Sequence, residues 1–383
     1  MFKKIIAAVL AAVLVLSLAA CGKQEKEPTE PIEAPAKKVA VLVAPEAQYP
    51  EEYRAAAELA AAFPNAVTVK EYADSRILKA GNPEIMQLSE ELAKDSSIGA
   101  IVYARATQYT SLAISAAKKI NPELVIACIE PEDSVDTLAQ LSNFVLCADW
   151  GKAADDIIAT AKAAGAEYFV MFSFNRHIAD NPLHAAERSY IENACKSSGI
   201  TFVYDNSVDP TFSGGIAKSQ LYIRESVARL VNNGTVKGSN VVLFSTDSAV
   251  QSTLVTVADE RGFTYVCPSF PTAYNGVAEV YKADLPEKIA DTAAYIASLK
   301  AAVPADGTGK LYAYTHPLAA TLLNAAVYTV FDILNGKTTA DNLAERAAMR
   351  ATDAAADEGF AFGAYHNYGN VFAAYSSGFE KLR

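Results

Sequence analysis

VAVLVAPEAQYPEEYRAAAELAAAF, residues 39–63, sets the pattern for most of the chain. Val39–Val43 is a short continuous apolar run, the mark of a strand buried on both faces. A polar loop follows, and Pro50 then opens an alanine-rich stretch with helical spacing that ends at Phe63. The same alternation recurs along the chain. Strands are expected at Val39–Val43, Val67–Tyr72, Ala100–Ala104, Leu124–Cys128 and Asn143–Cys147, then at Tyr168–Phe172, Thr201–Asp205, Asn240–Ser245 and Tyr265–Pro268. Helices are expected at Pro50–Phe63, Pro83–Lys94, Tyr109–Lys119, Lys152–Ala164, Pro182–Ser198, Gly214–Asn233 and Ala249–Arg261. Apolar strands joined by amphipathic helices of roughly 10–20 residues imply parallel sheets built from right-handed crossovers. Five strands precede Asp149-Trp150-Gly151 and four follow it. The expected fold class is therefore α/β, with two doubly wound, Rossmann-like lobes in tandem and a cleft between them. The long helix His316–Asn335 comes late and can return to either lobe, and the Gly/Tyr/Phe-rich tail from Gly359 to Phe379 reads as short paired strands or loops.

The chain opens differently. Lys3 and Lys4 precede an apolar run, Ile5 to Ala20, that ends in Leu18-Ala19-Ala20-Cys21. A basic start, an apolar centre and small residues before the cut read as a secretory signal. The run has 16 residues, short of the about 20 that a membrane span needs. A cysteine directly after Leu-Ala-Ala resembles a bacterial lipoprotein signal, which implies that Cys21 carries lipid and becomes the mature N-terminus. Acyl chains contribute about 0.8 kcal/mol per buried methylene, so two or three of them anchor stably. Gly22 to Lys38 contains Pro28, Pro31 and Pro35 among many charges. It reads as a solvated, extended tether. The expected division is residues 1–20 as signal, 21–38 as lipidated cysteine and tether, 39–148 as the first lobe with part of 305–340, and 149–304 as the second lobe with part of 341–383.

Hydrophobic residues form 51% of the 383, enough for packed cores, and the formal net charge is −11. That acidity argues against nucleic acid or anionic lipid as a partner of the folded body. Cys128, Cys147 and Cys267 lie in strand-like runs, and no cysteine pair has CxxC spacing. A disulfide among these and Cys195 is left open. Four histidines without metal spacing imply no metal site. HExxH, GxSxG and a strand-linked GxGxxG are all missing from the sequence. No cofactor is implied.

In doubly wound sheets ligands bind beyond the carboxyl ends of the strands. Candidate binding residues are therefore sought there. The first such loop offers Gln48 and Tyr49, both larger than a turn requires. The third strand ends near Tyr103 and Arg105, and an arginine there suits a ligand carboxylate or phosphate. A salt bridge at the lobe surface would explain it too. After the first strand of the second half come Ser173, Phe174, Asn175, Arg176 and His177, the convergent polar and aromatic groups of a small-molecule pocket. Arg176 disfavours protonation of His177, so ligand hydrogen bonding is the expected role rather than acid–base work. Asp209, Thr246, Asp247 and Phe270 lie in later loops, and Tyr314 precedes the long helix. Asp247 also fits a helix N-cap. Trp150, the only tryptophan, sits at the junction of the halves.

Several of these segments together resemble an uncharacterised family of bacterial lipoproteins, the domain of unknown function numbered 3798. The resemblance rests on Lys38–Val43 with Tyr53–Glu58, on Phe172-Ser173-Phe174-Asn175-Arg176-His177, and on Glu192–Ile200. It continues through Asp209-Pro210-Thr211, Ser245-Thr246-Asp247-Ser248 and Cys267-Pro268-Ser269. It implies a type 1 periplasmic-binding-protein fold, with two lobes joined by a multi-stranded hinge, and capture of an unspecified solute. The expected function is a lipid-anchored, extracytoplasmic solute-binding protein serving a membrane ABC permease or a sensor. Arg105 and Arg176 favour an anionic ligand, and Tyr49, Tyr103, Phe174 and Phe270 allow a nucleoside-like one. Two other readings are an exported hydrolase-like enzyme on the same scaffold and a structural surface lipoprotein.

Overall fold

The computed structural model describes residues 28–72, 83–211, 214–267, 276–289, 291–355 and 360–383. Thirteen strands are found among the described residues, in two sheets. The first contains β1 (Lys38–Val43), β2 (Val67–Glu71), β3 (Ile98–Tyr103), β4 (Val125–Ile129), β5 (Phe144–Ala148), β11 (Ala361–Ala364) and β12 (Val371–Tyr375). The second contains β6 (Tyr168–Ser173), β7 (Thr201–Asn206), β8 (Val241–Ser245), β9 (Thr264–Val266), β10 (Lys310–Tyr314) and β13 (Phe379–Lys381).

Their orders are β11-β12-β5-β4-β3-β1-β2 and β13-β10-β9-β8-β6-β7. All pairings are parallel except β11 with β12 and β10 with β13. Every residue of β3, β4, β5 and β8 is buried, because helices cover both faces of a parallel sheet. Each sheet doubles back beside its first strand. The chain starts at β1 or β6, adds one neighbour on one side, then crosses to the other. The switch points of the lobes are thus β1/β3 and β6/β8.

The chain passes between the lobes three times: after β5, after β10 and after β12. The crossings are tied together. Asp149 N donates to Ala374 O at 2.8 Å and Thr315 N to Gly378 O at 3.1 Å. Asp156 accepts from Tyr375 Oη at 3.0 Å and from Gly378 N at 2.9 Å. Tyr314 stacks on Tyr375 with centroids 5.7 Å apart. This is the multi-stranded hinge between two α/β lobes. Helix 318–334 returns to the first lobe and packs against β1, β3, β4, β5 and helix 50–62. Its buried Asp332 is held by a two-pronged pair with Arg350, at 2.7 and 2.9 Å, which removes the cost of an isolated buried charge.

The structure departs from the expected tether. Beyond Pro28 the segment is docked rather than solvated. Thr29 N donates to Asp353 Oδ1 at 2.7 Å, Arg350 Nη1 to Glu30 O at 2.8 Å and Asn335 Nδ2 to Glu33 O at 2.9 Å. Glu30 pairs with Arg346 at 2.6 Å and Glu33 with Lys337 at 3.0 Å. Charges that favour water in an isolated segment find fixed partners on helix 343–354 and at the end of helix 318–334. The signal and Cys21 lie outside the described residues. Among the described residues Cys128, Cys147 and Cys195 are buried free thiols; Cys267 is buried too, and burial pushes Cys195 and Cys267 up to about 12.

Candidate functional site

The loop after β1 turns on Pro45, whose carbonyl accepts from Gln48 N at 2.9 Å and Tyr49 N at 3.1 Å. Pro50 then starts helix 50–62. This delivers Tyr49 onto Arg105, which leaves the end of β3; the guanidinium lies 3.8 Å from the ring centroid. Arg105 is 1% exposed and ion-paired with Glu52 of the same helix, and its Nη1 lies 3.6 Å from Glu132 Oε1. Tyr49 Oη donates to that Glu132 oxygen at 3.3 Å. Burial opposes the charge on Arg105, but Glu52, Tyr49 and Glu132 raise its pKa. Burial also pushes Tyr49 well above the usual phenol range and raises Glu52, the latter against the pull of Arg105.

Glu130 leaves the end of β4 with φ +44°, a conformation that costs a non-glycine residue about 1 kcal/mol or more. It is 1% exposed, and neither carboxyl oxygen has a hydrogen-bond partner among the described residues. The Ala148 backbone amide lies close enough to pull its pKa down. Burial lifts its pKa to about 8, against the pull of Arg105 and of that amide.

The second lobe presents its own switch point. Ser173 ends β6, and residues 175–180 form a short helix. Thr246 Oγ1 meets Ser173 Oγ at 2.7 Å and His177 Nδ1 at 2.9 Å. Asp247 caps the next turn through Ala249 N at 2.8 Å, and its other oxygen stands 3.9 Å from His177 Nε2. Arg176 holds Asp209 with two bonds, 2.9 and 3.3 Å, and lies 5.0 Å from the Phe174 ring. His177 stacks between Phe174 and His184, at 4.1 and 4.2 Å. Burial, then His184 and Arg176, hold its pKa well below the ordinary imidazole value. A neutral, enclosed imidazole with this donor–acceptor network is a hydrogen-bonding scaffold and a weak base. Burial raises the Asp247 carboxyl against the pull of Arg176.

The two ends face each other. The Glu132 carboxylate acts through space on Arg176 and Asp247 of the other lobe, and Asp247 acts on Tyr49. A cavity of about 610 Å³ opens beside them, lined by Pro50 and Arg54 on one side and by Gln220, Ser248 and Ala249 on the other.

A family model described as Protein of unknown function (DUF3798) matches residues 37–311. The chain belongs to this family. An uncharacterized protein of Treponema pallidum (strain Nichols) is 25% identical to this DUF3798 member over 173 residues, 45% of this chain and 77% of the relative. A crystal structure described as a transcriptional regulator from Clostridium difficile 630 superposes with TM-score 0.65 at 17% identity, covering 91% of this chain and all of the other. ABC transporter solute-binding proteins from Burkholderia multivorans and Agrobacterium vitis both give TM-score 0.52, at 14% and 16% identity. They cover 79% and 80% of this chain, and 95% and 92% of their own. The first holds an unknown ligand built as α-D-erythrofuranose and the second holds allitol. These likenesses establish the type 1 periplasmic-binding-protein fold for the DUF3798 chain.

Of the candidates read from sequence, Tyr49, Arg105, Ser173, Phe174, Arg176, His177, Asp209, Thr246 and Asp247 gather at the two switch points. Gln48 is buried in its loop, and Asn175 is exposed. Tyr103 does not reach the cleft. The ladder extends through it, pairing it with Leu42 and Cys128, and its hydroxyl meets Ser89 of helix 83–94 at 2.8 Å. Tyr314 belongs to the hinge, where its hydroxyl donates to Ser376 O. Phe270 lies outside the described residues. Sequence reasoning missed Glu52, Glu130, Glu132 and His184. Glu130-Pro131-Glu132 directly follows a strand, so the rule that found Arg105 applies to it equally.

Proposed function

We propose that this DUF3798 member is a lipid-anchored, extracytoplasmic solute-binding protein that captures a small polar solute between its lobes. It would deliver that solute to a membrane ABC permease or report it to a sensor. The observation that carries this reading is the facing of the two switch points, both lined with polar and aromatic side chains, across a hinge of three crossings. The allitol-bound and erythrofuranose-fitted neighbours share that architecture, and a solute bridging the lobes favours closure through its additional contacts. The proposed walls are Tyr49 and Arg105 on one side, and Phe174, Arg176, Asp209, Thr246 and Asp247 on the other. The proposed attachment is the lipid on Cys21; no described helix is long and apolar enough to cross a membrane.

A thermal-shift screen of the full chain in detergent, against a broad metabolite panel, tests the reading. A bound solute raises the melting temperature by mass action, and small-angle scattering should then show a smaller radius of gyration. Silence across the panel, or a hit without closure, would count against capture between lobes. Cys21→Ala should move the protein out of the membrane fraction; retention there would contradict the anchor.

A further inference from the structure

Both arginines that invite an anion are already engaged. Arg105 is paired with Glu52 and stacked under Tyr49, with Glu132 close by. Arg176 is held by two bonds to Asp209. Counting these partners leaves negative charge over among the described residues. Asp247 faces the gap with one oxygen outside hydrogen-bond range of His177. Glu132, partly exposed and accepting from Tyr49 Oη at 3.3 Å, acts on Arg176 and Asp247 of the opposite lobe. Behind them the Glu130 carboxyl is buried among Arg105, Glu51 and Glu52; among the described residues both its oxygens and Glu52 Oε2 have no hydrogen-bond partner. Glu51 serves another end, accepting from Ala319 N and Ala320 N at 2.9 and 3.2 Å. Buried carboxylate oxygens without donors are costly. They lie against Arg105, beside the loops that face the second lobe.

Resting on the solute-binding reading, we infer that the solute carries a protonated amine or guanidinium group, held across the gap between Glu132 and Asp247 with Glu130 behind it. Such a group supplies the missing donors and offsets the surplus charge, whereas a carboxylate or phosphate would have to displace an existing ion pair on either arginine. The chain's net charge of −11 also draws cations toward the cleft. Bringing a cation near Glu130 favours its ionised form, so binding releases a proton. The groups that face Glu130 are Arg105 beyond β3, Glu51 and Glu52 on helix 50–62, and Cys147 on β5.

The test uses the full chain in detergent with spermidine, agmatine and L-lysine as cations, allitol and ribose as neutral polyols, and succinate and citrate as anions. Stabilisation by at least one cation and by none of the anions is expected. Titration calorimetry in two buffers of different ionisation enthalpy should show proton release near pH 7.5. Asp247→Asn, which keeps the cap, and Glu132→Gln should each weaken the cation roughly tenfold or more. Stabilisation by a polyol or an anion alone overturns the charge assignment and leaves solute capture standing. Silence across the panel together with an unchanged radius of gyration overturns both, and undiminished affinity in the two variants places the cation elsewhere.

Discussion

The two switch points share one topology and solve the problem of charge in opposite ways. In the first lobe Arg105 is enclosed with Glu52 and Glu130, and carboxyl oxygens there lack donors among the described residues. In the second lobe Arg176 is partly open, its partner Asp209 also accepts from Thr211 N and Oγ1 at 2.9 and 2.8 Å, and the polar groups around Thr246 are linked. The first is an electrostatically loaded floor and the second a nearly satisfied wall. Identical strand order therefore fixes where a ligand sits and leaves the chemistry of each side to a few loop residues.

The sharpest way to break this contrast is to remove each arginine. Arg105→Ala leaves buried carboxylates uncompensated and should cost about 3–5 kcal/mol, read as a lower denaturant midpoint. Arg176→Ala should cost only about 1–2 kcal/mol, because Asp209 keeps its Thr211 donors. Equal losses would erase the distinction. On binding, Arg176→Ala should remain folded and change affinity for the stabilising solute, strengthening a cation by removing a like charge beside Asp247 and weakening an anion.

The second contrast is in pH. Glu130 moves from 4.5 to about 8 on folding. The native state therefore binds the extra proton between those values, and stability falls as pH rises through that window. Glu130→Gln should flatten the slope and raise the melting temperature at pH 9 by a few degrees; a melting temperature below wild type would contradict the loaded floor. His177 works the other way. Its native pKa lies well below 6.5, so the unfolded chain takes up the proton first and stability falls as pH drops below 6.5. His177→Asn should reduce that acid sensitivity, the smallest of these effects, measurable as a shallower melting-temperature profile between pH 6.5 and pH 5.

Much of this was legible in the sequence. The nine strands through β9 announced themselves because each is a local apolar run bounded by a helix. Of the last four, β11 and β12 fall in the tail read as short paired strands or loops, while β10 and β13 were not read. Only three to five residues long, they are held by distant partners, as Val371 is by Val145, and no local pattern encodes that pairing. The loops after β1, β3, β6 and β8 were found from their place at strand ends. The state of Arg105 was not, because its neutralising partner Glu52 lies on a helix face 53 residues earlier. Glu130 and Glu132 stood at a strand end in plain view, yet the burial of Glu130 depends on β3 and β5, which flank β4. The tether looked solvated because Arg346 and Arg350, more than 300 residues away, supply its partners.

Hydrogen exchange on the full chain, with and without a stabilising solute, tests the central claim most directly. Capture between the lobes predicts added protection at residues 44–49 and 105–110 together with residues 174–177 and 246–249. Protection confined to one of these pairs of loops, or to neither, would contradict it.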